Sequence, residues 1–119
     1  MFELKIKDKT IPLNWGTWSM HEFTKEKNLT IQEFFQVLSN SQIDLGNIVS
    51  FIFIGYKHAA LVNKVELEYT EFDVYEWLDE MGGMLDVNGQ VMGYMKYIIS
   101  STTAVVSKKE TTVEKKKGK

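Results

Sequence analysis

The 119-residue sequence has no cysteine, a single proline and no arginine, all fourteen of its basic residues being lysine. The absence of cysteine excludes disulfide frameworks, thiolate zinc sites, iron–sulfur clusters and cysteine nucleophiles, and it fits a reducing compartment. The absence of arginine removes the planar fork that reads guanine, phosphate and carboxylate bidentately, so sequence-specific nucleic-acid binding is not expected. Long unbroken apolar runs are missing as well. The densest, Ile48 to Ile54, falls far short of the ~20 residues of a membrane span, and Met1 to Lys5 alternates instead of opening on a basic stretch followed by an apolar one, so neither a membrane partner nor a signal peptide is expected.

What is present suits one compact core: 44% of residues are hydrophobic and 13% aromatic, and a chain of this length buries roughly two-thirds of its unfolded surface without staples. Charge is unevenly placed. Residues 1–106 hold 8 lysines against 14 acidic residues, whereas residues 107–119 hold 6 lysines against 2 glutamates. The expected organisation is therefore one globular domain over 1–106 and a disordered, Lys-rich tail over 107–119.

Phe2, Leu4 and Ile6 alternate with Glu3, Lys5 and Lys7, the period of a half-buried strand. Asp8-Lys9 then reads as a turn into Thr10–Leu13, where Pro12 demotes the second strand to an edge. Three helix starts share a capping box and a hydrophobic staple: Ser19 with Glu22, Thr30 with Glu33, and Thr70 with Asp73. They predict helices at 20–27, 31–39 and 71–81, the last stopped by Gly82-Gly83. Between them, Asp44 to Leu61 is too long for a strand and apolar around most of its wheel, as a central helix would be. Residues 62–69 form an extended connector with Val65, Leu67 and Tyr69 inward. Val91, Met95, Ile98 and Ile99 favour a final helix from about 88–90 to 100 over an Asn88-Gly89 hairpin. The expected fold is α+β and mainly α: a β-hairpin over 1–13, then about five helices over 18–100 around a central apolar helix.

No catalytic, cofactor-binding or metal-binding constellation emerges. His21 and His58 are the only histidines, neither with a partner at ligand spacing. Asp73, Glu76, Asp79 and Glu80 share one arc of the helix at 71–81, which reads as a solvated acidic face able to meet a basic partner. Met81, Met84, Met92 and Met95 read as core filling. The central helix is more pointed. At 100° per residue Asn47, Ser50, Lys57 and His58 form a polar stripe that Ile54 and Leu61 interrupt. Ile54, Leu61, Lys57 and His58 are thus candidate protein contacts, since apolar side chains on a wet face mark docking surfaces.

The short N-terminal β segment, Trp15-Gly-Thr-Trp18-Ser-Met-His-Glu-Phe23, the helix start Leu29-Thr-Ile-Gln-Glu-Phe-Phe35, the central helix ending Phe53-Ile-Gly-Tyr-Lys-His-Ala-Ala60, and Tyr69-Thr-Glu-Phe-Asp-Val-Tyr-Glu-Trp-Leu78 follow one another over residues 1–80. In that order of elements the chain resembles the tail assembly chaperones of long-tailed bacteriophages. The resemblance implies a non-enzymatic protein of the host bacterial cytoplasm, in an infected or lysogenic cell. It would bind the tape-measure protein, and by extension meet the tail-tube protein, self-associate, use no cofactor, and be absent from the finished virion. A structural head–tail connector or tail completion protein, retained in the particle, is the alternative. The Met-rich segment 81–95 departs from the simplest family pattern.

Overall fold

The computed structural model describes residues 1–39, 44–81 and 89–102. Among these residues the order is β1 (Phe2–Ile6), β2 (Lys9–Leu13), α1 (Thr17–Lys27), α2 (Ile31–Ser39), α3 (Leu45–Asn63) and α4 (Glu71–Glu80), then α5 over residues 90–102. The architecture is the expected one, a hairpin followed by five helices. The stop at Gly82-Gly83, the hairpin alternative around Asn88, Met84 and the tail at 107–119 lie outside the described residues.

β1 and β2 pair antiparallel, with Leu4 opposite Ile11 and Ile6 opposite Lys9. The turn is Lys7-Asp8, one residue earlier than expected, with Lys7 in the left-handed region at φ 52°. Leu4, Ile6, Ile11 and Leu13 are buried together on one face. The Lys5 N–H and C=O point away from β2 and meet the side-chain amide of Gln90 at 2.5 Å each, so this one side chain of α5 extends the sheet. Hydrogen-bonded and open pairs alternate along an antiparallel ladder. Pro12 faces Glu3, two positions from Lys5, and so occupies an open pair where its missing N–H costs no ladder bond.

Two of the three predicted capping boxes form. The Thr30 N–H donates to the Glu33 carboxylate at 2.8 Å while the Glu33 N–H donates to the Thr30 hydroxyl at 3.1 Å. At α4, the Asp73 carboxylate accepts from the Thr70 N–H at 2.7 Å. The first start is different. α1 begins at Thr17 behind an extended Gly16, and Ser19 sits inside the helix, its hydroxyl accepting from the Gly16 N–H at 3.3 Å. Ser19 is therefore not the N-cap. Its hydroxyl is buried and engaged elsewhere, as described below. Asp44 does stand at the cap position of α3, but its side chain makes no cap bond.

α3 is the axis of the core. Phe23, Phe34, Phe51 and Trp15 pack around its first half, with Phe23 stacked on Phe51 at 4.3 Å and Trp15 parallel to Phe34 at 6.3 Å between centroids. Tyr56, Tyr69 and Trp77 form a second aromatic group with α4. α5 closes the far side through Tyr94, whose hydroxyl donates to the Phe51 carbonyl at 2.8 Å. The approach demands glycine at position 55, because a Cβ there would overlap the Tyr94 hydroxyl. Val91, Met95 and Ile98 are buried, as their spacing predicts, while Ile99 is 41% exposed: in a helix it lies 100° from Ile98, off the edge of the buried stripe. By length and composition α3 could cross a membrane, which a count of unbroken apolar residues had not revealed, but 56% of that window is packed inside the protein, as a central core helix must be.

Candidate protein-interaction surface

The polar stripe of α3 is mostly covered, and α1 is its cover. The Ser50 hydroxyl donates to the Glu26 carboxylate at 2.8 Å near the C-terminal end of α1, and the His58 ring meets Ser19 near its N-terminal end. α1 thus runs antiparallel across the stripe. Ile54, midway between Ser50 and His58, lies beneath it and is 1% exposed. This corrects the expectation of Ile54 as a surface contact: the helical wheel identifies a face and cannot say which neighbour covers it. Leu61, one turn beyond His58, projects past the start of α1 and is 60% exposed.

His58 belongs to a polar network. Its Nδ1 is bonded to the Ser19 hydroxyl, and its Nε2 lies 3.5 Å from the Asn14 side-chain amide. The Tyr97 hydroxyl donates to Asn14 Oδ1 at 3.0 Å. One assignment satisfies every partner: Nδ1–H donates to Ser19, Ser19 donates to the Asn14 carbonyl at 3.5 Å, and Nε2 accepts from Asn14. Burial pushes the His58 pKa below its ordinary 6.5, in keeping with a neutral ring. The network ties the end of β2, α1, α3 and α5 together, so the role of His58 is to join elements.

Past His58 the chain builds a shallow apolar groove. α3 ends with Lys64 in the left-handed region, the Val65 N–H closing onto the Ala60 carbonyl at 3.0 Å, a Schellman closure that sets Val65 over Ala60. The Tyr56 hydroxyl then accepts the N–H groups of Glu68 and Tyr69 at 2.6 and 3.0 Å, pinning the connector to α3. Between these two anchors Val65 and Leu67 are 61% and 50% exposed, contrary to the expectation that they face inward. The alternation rule presumes a paired strand, and the connector forms none.

Trp18, Ala60, Leu61, Val65 and Leu67, with the stem of Lys57, line a cavity of about 180 Å³. The Lys57 ammonium itself sits 5.0 Å from the Phe53 ring centroid, and Trp18 packs against the His58 ring at 5.4 Å. A second hollow of about 200 Å³ adjoins it across Ala60 and Val65, bounded by Pro12 and Tyr69 with Glu66 and Glu68 at its rim. Each is smaller than the ~300–1,000 Å³ of small-molecule sites, and suits a few protein side chains.

The acidic arc of α4 needs one correction. Glu76, Asp79 and Glu80 are exposed, but the Asp73 carboxylate is engaged in the cap. The same face carries Phe72 and Tyr75, 68% and 41% exposed, which the sequence reading passed over by looking only at the charges. Their spacing from Asp79, at i, i+3 and i+7, was the available signal. Among the described residues no group of three or more histidines and carboxylates could hold a metal ion. A scan against protein-family models and searches of curated proteins and of solved structures returned no match to this chain.

Proposed function

We propose that the protein is a non-enzymatic tail assembly chaperone of a long-tailed bacteriophage, binding the tape-measure protein through the groove at the end of α3 and keeping it soluble until the tail tube polymerises. The observation that supports this reading is the exposure of Leu61, Val65 and Leu67 beside Trp18, which leaves aliphatic surface open along an aromatic wall. Such patches are docking sites for other chains. The resemblance in element order over residues 1–80 supplies the identity of the client. A long helical client is best held by many copies of a modest contact, and hollows of this size accept single side chains. The acidic, aromatic face of α4 adds a second contact favouring a basic partner.

Co-expression with a tape-measure protein from the same genome tests the reading. The wild-type chain is expected to carry the client into the soluble fraction and to be missing from purified particles by mass spectrometry. Recovery of the chain as a stoichiometric part of the virion would replace this reading with that of a connector or completion protein.

A further inference from the structure

The hairpin has two outer edges, and they are finished differently. On β1, Lys5 directs its N–H and C=O away from β2, and the Gln90 side chain takes both. Thr10 is the residue opposite Lys5. An open pair of an antiparallel ladder turns the backbone groups of both its residues outward, so the Thr10 N–H and C=O point from the free edge of β2. Pro12, also in an open pair, directs its carbonyl the same way, and past the end of the strand the Asn14 N–H closes onto the Gly55 carbonyl of α3 at 3.0 Å. Among the described residues no backbone partner takes the Thr10 groups, and Thr10 is exposed. It borders the hollow of about 200 Å³ between β2, the end of α3 and the connector, whose apolar walls are Ile11, Ala60, Val65 and the rings of Tyr56 and Tyr69.

We propose that this hollow is a strand-addition site, where an extended basic segment of a partner protein pairs with Thr10, seats an apolar side chain in the hollow, and sets a flanking lysine or arginine against Glu66 and Glu68. A helix cannot use such an edge, because its own backbone groups are already bonded within it. An extended segment brings an unpaired N–H and C=O, and unprotected edges are where strands are added. The rim decides the charge. Glu66 and Glu68 stand exposed beside the hollow, and the ion pairs of the described residues, Lys25 with Glu22 and Lys27 with Glu26, both lie in α1. Residues 65–80 hold seven acidic residues and no lysine, a field that favours a basic segment over an acidic one. The Tyr69 wall already accommodates a cation, the Lys9 ammonium lying 5.3 Å from its ring centroid. The site adjoins the Leu61–Leu67 groove without sharing those two side chains, and its test contains no tape-measure protein, so its failure would leave the client reading untouched.

The probe is an end-blocked synthetic peptide of alternating lysine and valine, added at millimolar concentration to the full-length chain, with amide hydrogen exchange read by NMR. The exposed Thr10 amide should exchange rapidly in the free protein, and the peptide is expected to slow it at least several-fold. The same peptide N-methylated throughout keeps its charges and loses its backbone donors, and should give no protection. Glu66→Lys combined with Glu68→Lys, two exposed side chains, should weaken the apparent affinity at least several-fold without unfolding the protein. A Thr10 amide that the peptide leaves unchanged, or protects no better than its N-methylated form, would overturn the strand pairing. Undiminished protection in the double variant would overturn the basic flank. Protection that rises with protein concentration in the absence of peptide would place a second copy on the edge and overturn the assignment to a different protein.

Discussion

The two ends of α3 begin from the same pattern and finish differently. In the stretch from Ser50 to His58 an apolar residue interrupting the polar stripe is sealed under α1. One turn later, at Leu61, the same kind of interruption stays open. Length explains the difference. At 1.5 Å per residue the 11 residues of α1 span about 16 Å and the 19 of α3 about 28 Å, so α1 cannot cover the whole stripe. Its contacts through Glu26 to Ser50 and through Ser19 to His58 fix which part it does cover. A helical wheel reports composition of a face, and only the partner's length and register decide whether that face is core or surface.

Substitutions that place a charge at the two positions should separate them most strongly. Ile54→Asp buries a carboxylate beneath α1 without a partner and is expected to cost about 4 kcal/mol or more, or to prevent folding, as read by urea denaturation. Next in size is Gly55→Ala, whose methyl meets Tyr94; a loss of about 1–3 kcal/mol is expected, partly restored when Tyr94→Phe removes the overlapping hydroxyl. Thr30→Ala, which removes the cap of α2, should cost about 1 kcal/mol and serves as a yardstick for local loss.

The pH dependence should also report on the covered end alone. His58 is held below its ordinary 6.5 by burial, so the unfolded chain takes up the proton more readily than the folded one. The stability conferred by the neutral ring is then complete above about pH 6.5 and is lost as pH falls through the folded-state value. His58→Gln should flatten this part of the urea midpoint against pH. An unchanged slope in that variant would mean that the ring is not the titrating group.

Much of the fold was readable because its signals were local. Thr30 and Glu33, four residues of sequence in all, contain both halves of their box, and the alternation of Phe2, Leu4 and Ile6 needs only its own strand. The misread positions depend on partners distant in sequence. Ser19 looked like an N-cap because its sequence neighbours permit one, while the structure uses its hydroxyl for His58, 39 residues away. Val65 and Leu67 were placed inward because alternation was taken to mean pairing, whereas Lys64 in the left-handed region and Tyr56 bonding to Glu68 and Tyr69 turn them outward. The Gln90 contact to Lys5, 85 residues apart, carries no sequence signal at all. Of the candidate contacts, Leu61 and the stem of Lys57 line the groove, His58 supports it through Trp18, and Ile54 belongs to the core.

The smallest expected effect on stability belongs to the substitution with the largest expected effect on binding. Leu61→Asp combined with Leu67→Asp changes two exposed side chains, and its unfolding free energy should stay within about 0.5 kcal/mol of wild type per site. Co-expressed with the tape-measure protein, this double variant is predicted to remain soluble itself while the client moves to the pellet. A client that stays as soluble with the double variant as with the wild-type chain would contradict the assignment of the end of α3 as the docking surface.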